Sequence, residues 1–294
     1  VAVGFDPNGA EAAAAPDAVL RGLELGAPPD AFNAAGQTWG VGGFDPAGLR
    51  RTGFAPVRAL LRATMCNRGG VRIDHILGLL RLWLVPRGAP SSAGAYLRAP
   101  LHDLLNLVAL ESWRQRCIVI GEDLGVVPPG LRETLARRGV MGIDVLAFTR
   151  DADGAFLPPH RWRREAVATT TTHDLPTLVG WSRGRDLDWR ARLEGTDAAT
   201  LAGQRDARAA DVRALDAASA AAIGETGPAA WMAFVAASPS PLALLPAEDA
   251  LGLPEQPNLP GTVDTHPNWR RRLPRDADPG PALTAFAAAR ALPT

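Results

Sequence analysis

Apolar residues fall into two alternating rhythms along this chain: short continuous runs, and longer stretches spaced as one face of a helix. The runs at 1–5, 71–74, 118–122, 143–148, 167–172 and 242–245 read as strands. Between them, Phe54 to Cys66 places Phe54, Val57, Leu60, Leu61 and Met65 on one helical face. His102 to Arg116 carries a broader stripe of Leu104, Leu105, Val108, Leu110 and Trp113. Pro128-Pro129 opens a short helix over Leu131 to Arg138 that Gly139 closes, following the preference for proline at helix starts and glycine at helix ends. Leu175 to Trp181 begins another helix, residues 190–237 carry helical spacing for a set of surface helices, and Ala282 to Leu292 forms a closing helix.

Strand alternating with helix predicts an α/β fold on a parallel sheet. The expected architecture is a (β/α)8 TIM-type barrel, incomplete here, with about six of the eight strands that closure requires. Val1 to Phe5 reads as a strand already under way, so the first two strands are expected upstream and residues 1–294 form part of one catalytic barrel. Residues 6–53 have few periodic apolar positions and are dense in Gly, Pro, Ala and Asp, which predicts a long substrate-binding loop insertion. Within it, Gly26-Ala27-Pro28-Pro29-Asp30 and Gly36-Gln37-Thr38-Trp39-Gly40 set an aromatic face beside an amide. Sugars bind such pairs, because their C–H faces stack on rings while their hydroxyls take amides and carboxylates.

Composition narrows the function classes. Hydrophobic residues make up 47% and charged residues 21%, so the chain is globular. Arg and Lys total 31 against 31 Asp and Glu, and this balance leaves no electrostatic footprint for nucleic acid or an anionic membrane. Every basic residue is arginine, which together with the abundant alanine reads as a coding bias toward GC. Cys66 and Cys117 are expected to be buried thiols, and no zinc-type spacing occurs. No apolar run reaches the ~18 residues of a membrane helix. The opening residues lack the features of a signal peptide, so a cytoplasmic location is expected.

Three of the runs lead into acids: Asp74-His75, Glu122-Asp123 and His173-Asp174. In a parallel barrel, a carboxylate at the C-terminal end of a strand points into the active-site mouth. Two carboxyl groups about 5–5.5 Å apart support a retaining double displacement at a glycosidic bond, one attacking and the other protonating the leaving oxygen. A third acid can hold sugar hydroxyls. Arg72 lies two residues before Asp74, so strand alternation places both on one face, where the guanidinium favours the ionised carboxylate. The Asp74 charge is expected to raise the proton affinity of Glu122. The same side chains could instead ligate a divalent metal in a barrel hydrolase, and spacing leaves that alternative open.

The motifs Arg72-Ile73-Asp74-His75, Gly121-Glu122-Asp123-Leu124-Gly125 and Thr172-His173-Asp174-Leu175-Pro176-Thr177, in this order, resemble the three catalytic motifs of the 4-α-glucanotransferases (amylomaltases, or disproportionating enzymes) of the α-amylase clan. The loop around Gln37 and Trp39 resembles that family's substrate-binding loop. Gly94-Ala95-Tyr96, Asn258-Leu259-Pro260-Gly261-Thr262 and Asn268-Trp269-Arg270-Arg271-Arg272-Leu273 extend the likeness over nearly the whole chain, closest to the bacterial maltodextrin-type branch. The resemblance implies Asp74 as nucleophile, Glu122 as general acid/base and Asp174 as transition-state stabiliser. It further implies that Arg72, His75 and His173 line the subsite of the sugar under attack, and that Asp30, Gln37, Trp39, Tyr96 and Asn258 touch glucan. Trp269 and its arginines read as a helix-packing and salt-bridge cluster.

The implied substrates are α-1,4-glucans and maltooligosaccharides with glucose as an acceptor, and neither cofactor nor metal is implied. The alternatives are an α-glucan hydrolase on the same scaffold, a metal-dependent hydrolase and a non-catalytic glucan-binding remnant. Two departures from the family stand out. Val41-Gly42-Gly43-Phe44 replaces an expected proline after Trp-Gly and predicts a more flexible loop. The family's long N-terminal part is absent, so the chain alone is expected to fold poorly or to be inactive through exposed sheet edges and apolar surface.

Overall fold

The computed structural model describes residues 1–29 and 35–290, and the chain divides into two units, Val1–Ile143 and Asp144–Thr294. The first unit contains, in order, α1 (Ala10–Ala14), β1 (Leu23–Ala27), β2 (Gln37–Thr38), α2 (Pro46–Arg51), α3 (Ala55–Met65), β3 (Gly70–Ile73), β4 (Arg81–Pro86), β5 (Ala95–Arg98), α4 (Leu101–Gln115), β6 (Ile118–Gly121), α5 (Leu131–Ala136) and β7 (Val140–Val145), the last running across the division. β3, β6 and β7 are parallel, with Arg72 opposite Ile120 and Val119 opposite Val140. Val71 and Ile73 of β3 point into the core, whereas Gly70 and Arg72 face out. α3, α4 and α5 bury Leu61, Met65, Leu105, Val108, Leu131 and Leu135 against Val71, Ile73, Val119 and Val140. This is the strand-and-helix layering that the apolar periodicity predicts.

A second, antiparallel sheet in this unit has the order β2-β1-β4-β5. Two of its strands lie within residues 6–53, where the sequence predicts little regular structure. Leu25 pairs with Leu84 and both are buried, so β1 gains its order from a partner far along the chain and not from a local pattern. Gly26 permits the close approach of β2: a Cβ there would fall 2.0 Å from the Gln37 carbonyl oxygen. Val41 to Phe44 is tied on both sides, contrary to the expected flexibility. Leu25 N–H donates to the Val41 carbonyl (2.8 Å), Phe5 and Gly42 exchange backbone hydrogen bonds, and Leu20 N–H donates to Gly43 (3.0 Å).

Residues 1–5 are not a strand. Val1 nevertheless makes both bonds of a parallel ladder, donating to the Arg72 carbonyl and accepting from Asp74 N–H. The parallel strands among the described residues therefore number five where six are expected. β7 also begins three residues before its expected start at Ile143. Cys117 is buried as expected, but Cys66, at the C-terminus of α3, is exposed.

The second unit contains β8 (Ala166–Thr169), α6 (Leu178–Ser182), α7 (Arg185–Glu194), α8 (Ala198–Ile223), α9 (Gly227–Ala236), β9 (Leu242–Leu244), α10 (Ala247–Ala250) and α11 (Gly280–Arg290). β8 and β9 are parallel, with Val167 opposite Leu242. α8 is capped by Asp197, whose side chain accepts from the N–H groups of Ala199 and Thr200, and it ends at Gly224 in the left-handed region. Arg208 fixes α8 to α7 through two bonds to Asp186, at 2.7 and 2.8 Å. α9 is not a surface helix: Ala230, Trp231, Phe234, Val235 and Ala236 are all buried, against Leu215, Trp162, Leu178 and Phe286. A helix apolar on all sides belongs in a core. Among the described residues, no helix is long and apolar enough to cross a membrane.

Candidate active site

In the first unit β3 ends at Ile73 and β6 at Gly121, so Asp74 and Glu122 each occupy the position just past a strand. Parallel pairing of Ile73 with Gly121 brings the two strand ends level. Arg72 shares the outward face of β3 with Asp74 and donates from Nη1 to Asp74 Oδ1 at 2.6 Å. Glu122 is held at four points. Its backbone N–H donates to the Ile73 carbonyl, and its own carbonyl accepts from Ile76 N–H, both at 3.0 Å. Its carboxyl oxygens accept from His75 N–H (2.9 Å) and Leu124 N–H (3.0 Å).

The His75 donor sits in an unusual conformation. His75 has φ +45°, in the left-handed region where a non-glycine residue is disfavoured, and there its N–H meets Glu122. Burial raises the proton affinity of Glu122, while the N–H groups of Leu124 and His75 and the Arg72 charge oppose the rise. Asp74 adds only the smallest of these effects, so desolvation, and not the neighbouring carboxylate, is the main reason Glu122 can hold a proton. Burial likewise lowers the pKa of the His75 imidazole against the pull of Asp74, which favours the neutral ring.

Trp39 meets His75 edge to face with ring centroids 5.4 Å apart, and its indole N–H donates to Gln37 Oε1 at 3.1 Å. The structure thus links Gln37, Trp39, His75, Glu122, Asp74 and Arg72 within one unit. Tyr96 is not part of that chain of contacts. It stands on β5 at the far edge of the antiparallel sheet from β2, with its ring against Trp83 (4.9 Å) and under the Arg81 guanidinium (4.1 Å). Asp30 lies outside the described residues. Asp74 and His75 also border a mainly apolar cleft of about 930 Å³ walled by Phe44, Leu60, Leu79 and Leu104, which offers few partners to sugar hydroxyls.

In the second unit β8 ends at Thr169, so Asp174 sits on a loop and not at a strand end. His173 Nε2 lies 3.1 Å from Asp174 Oδ2, and Asn258 Nδ2 donates to Asp174 Oδ1 at 2.6 Å. Asn258 N–H also donates to the His173 carbonyl at 3.2 Å. The Trp269 ring lies 5.4 Å from that of His173 and is 66% exposed, so it is not a helix-packing residue. Its neighbours do form ion pairs, Arg270 with Asp264 (3.2 Å) and Arg271 with Glu255 (3.1 Å).

Two further acids brace the candidate groups; Asp123 stands in the second motif without a bracing role read from sequence, and Asp249 stands in none of the three. Asp123, fully buried beside Glu122, accepts from Ile143 N–H and Arg132 Nε, both at 2.8 Å, and so anchors the residue after the candidate acid. Asp249, on α10, accepts from Leu178 N–H at 2.7 Å, at the end of the loop that carries Asp174. The apolar sequence around each of them was a usable signal, because a charge there must find donors on folding. Among the described residues no three His, Cys, Asp or Glu side chains gather as a metal ion would require.

The sequence pattern of the 4-alpha-glucanotransferases matches residues 1–277. The 4-alpha-glucanotransferase of Mycobacterium tuberculosis strain H37Rv is 39% identical over 282 residues, covering 92% of this chain and 39% of the relative. The Haemophilus influenzae 4-alpha-glucanotransferase is 33% identical over 289 residues, covering 93% of this chain and 41% of the relative. The crystal structure of amylomaltase from Corynebacterium glutamicum superposes with a TM-score of 0.83 at 31% identity, over 91% of this chain and 40% of that one. Amylomaltase from Streptococcus agalactiae, solved in complex with acarbose, shares the fold at a TM-score of 0.79 and 19% identity, over 99% of this chain and 56% of that one. The chain thus spans about two fifths of the length of the curated relatives it matches. With a family match that runs through residues 1–277 and relatives more than 30% identical over nearly the whole of it, the chain belongs to the 4-alpha-glucanotransferase family.

Proposed function

We propose that this chain carries the catalytic carboxyl groups of a 4-alpha-glucanotransferase built on a (β/α)8 barrel, moving an α-1,4-glucan segment to the 4-hydroxyl of glucose or another glucan. The observation that carries this reading is the setting of Glu122. A carboxyl group raised in proton affinity by burial is held by two backbone N–H groups on the strand next to an arginine-paired Asp74. A carboxyl group that burial favours in its protonated form, next to a second carboxyl group held by an arginine, is the arrangement that an acid and a nucleophile require.

Glu122 protonates the glycosidic oxygen as Asp74 attacks the anomeric carbon. The leaving glucan departs with that proton, and the glycosyl group stays bound to Asp74. Glu122, now ionised, then takes the proton of the acceptor 4-hydroxyl as its oxygen displaces Asp74. Two inversions give net retention. Asp174 and His173 hold hydroxyls of the sugar under attack, and Arg72 steadies the ionised nucleophile. Trp39 supplies a stacking face with Gln37 beside it. Asn258 serves through its bond to Asp174, and the setting of Tyr96 favours a packing role. The amylomaltase fold solved with acarbose supports a saccharide-type ligand.

Incubation of the chain with maltotriose, followed by separation of products, tests the reading. A ladder of longer maltodextrins with glucose would establish transfer, and would overturn the expectation that the chain alone is inactive. Glucose and maltose without longer products would make the chain a hydrolase. No turnover, with glucan binding intact, would mark it as a binding remnant.

A further inference from the structure

The carboxyl group of Asp249 takes no part in the reaction proposed above, yet it is only 3% exposed and, among the described residues, has no cationic partner. Its Oδ1 accepts from Leu178 N–H at 2.7 Å, and its Oδ2 lies 2.5 Å from Thr170 Oγ1. Thr170 directly follows β8, and Leu178 opens α6. A single carboxyl group therefore joins both ends of the loop 171–177, which carries His173 and Asp174.

The rest of the segment beyond β9 reinforces this closure. Thr177 Oγ1 donates to the Leu253 carbonyl (2.6 Å) and accepts from Gly180 N–H (3.0 Å). A Cβ on Gly180 would fall 2.3 Å from the Pro254 carbonyl oxygen, so the segment runs directly against the first turn of α6. Thr171 Oγ1 braces the loop internally by donating to Pro176 (2.9 Å). Thr170, Thr171 and Thr177 are all buried.

We propose that Asp249 is a positioning residue that closes the 171–177 loop at both ends and so sets the direction of the Asp174 carboxylate. The inference rests on the reading that Asp174 acts on the sugar under attack. A buried carboxyl group without a counter-charge is costly to keep. Burial pushes Asp249 up to about 6, the bonds from Thr170 and Leu178 pull it back, and Glu248 raises it further. At neutral pH it is chiefly the acceptor-only carboxylate, suited to two converging donors.

Hydrogen exchange of the amides over 170–178 and transfer kinetics on maltotriose, measured on Asp249→Ala, Asp249→Asn and Asp174→Asn, test the proposal. Asp249→Ala is expected to speed exchange over 171–178 while leaving α9 protected. It is also expected to lower kcat by up to about 10²-fold, the scale of a misplaced group, with KM nearly unchanged. Asp249→Asn can accept from Leu178 through Oδ1 and donate to Thr170 through Nδ2, so it should restore most of both. Exchange over 171–178 at the wild-type rate in Asp249→Ala overturns the proposal, as does wild-type kcat with a loosened loop. Uniform loosening of the unit without recovery by Asn would reduce Asp249 to a structural residue and overturn it too. Full turnover in Asp174→Asn would instead remove the role of Asp174, while the exchange data, which need no turnover, still decide whether Asp249 closes the loop. If Asp249→Ala does not fold, Thr170→Val deletes one of the two bonds and carries the same expectations.

Discussion

Arg72 and Asp74 meet at 2.6 Å with side chains 41% and 43% exposed, which separates their contribution to stability from their contribution to chemistry. An ion pair this open contributes about 0–1 kcal/mol to folding. Asp74→Asn is therefore expected to leave the thermal unfolding of the chain almost unmoved while abolishing transfer from maltotriose. Wild-type turnover in that variant would place the nucleophile elsewhere. Glu122 gives a prediction with a sign. Burial raises its pKa, so the folded protein keeps the proton to higher pH than an exposed glutamate would. Glycosyl transfer needs that proton, so the rate should fall as pH rises through the raised value, with the alkaline limb above the ordinary glutamate range. Glu122→Gln should lower kcat/KM by about 10²–10⁴-fold and abolish that limb in a pH profile. An unchanged limb in the variant would assign it to another group. Arg72, Asp74 and Glu122 could be picked out from the sequence because both acids directly follow apolar runs and strand alternation puts Arg72 on the face of Asp74. Desolvation as the main influence on Glu122 could not, because burial is a property of the packed site.

The end of β6 shows how an element fixes a side chain. A Cβ on Gly121 would fall 2.7 Å from Ile76 Cγ1 and 3.0 Å from Ile76 Cβ. Ile76 is fully buried, and its N–H holds the Glu122 carbonyl. Gly121→Ala is expected to destabilise the fold by about 1–3 kcal/mol, read from urea unfolding, because an added methyl group in a packed core forces its neighbours to shift. It should also cut turnover by displacing Glu122. Retained turnover at reduced stability would show that the acid tolerates movement of its strand. α3 and α4 emerged within a residue of their expected bounds because a helix announces itself through local i, i+3 and i+4 spacing. β1 did not, since its ladder is made with β4, and no local period records a distant partner. β8 stops at Thr169, short of the expected 172, where the threonine side chains turn to the loop backbone.

The chain as a whole carries 31 arginines and 31 acids, and the proposed substrate is uncharged. Turnover is accordingly expected to be nearly independent of ionic strength, since at 0.15 M salt the screening length is already about 8 Å and no charged ligand is being steered. A steep fall in kcat/KM with salt would point to a charged substrate. Chelation is expected to leave turnover unchanged, and a loss restored by a divalent cation would favour the metal-hydrolase alternative. From the sequence alone come the parallel α/β layering, the order of the acid motifs, the Arg72–Asp74 face and the balance of charge. These rest on local periodicity and residue chemistry, which any stretch of chain displays before it folds. Tertiary structure decided that residues 23–27 and 37–38 join an antiparallel sheet, that α9 is core, and that Trp269 stands beside His173. It also decided that Asp123 and Asp249 brace the candidate acids. The physical reason is common to all of these: burial and long-range hydrogen bonding arise between segments far apart in the chain, and only the folded arrangement brings such segments together.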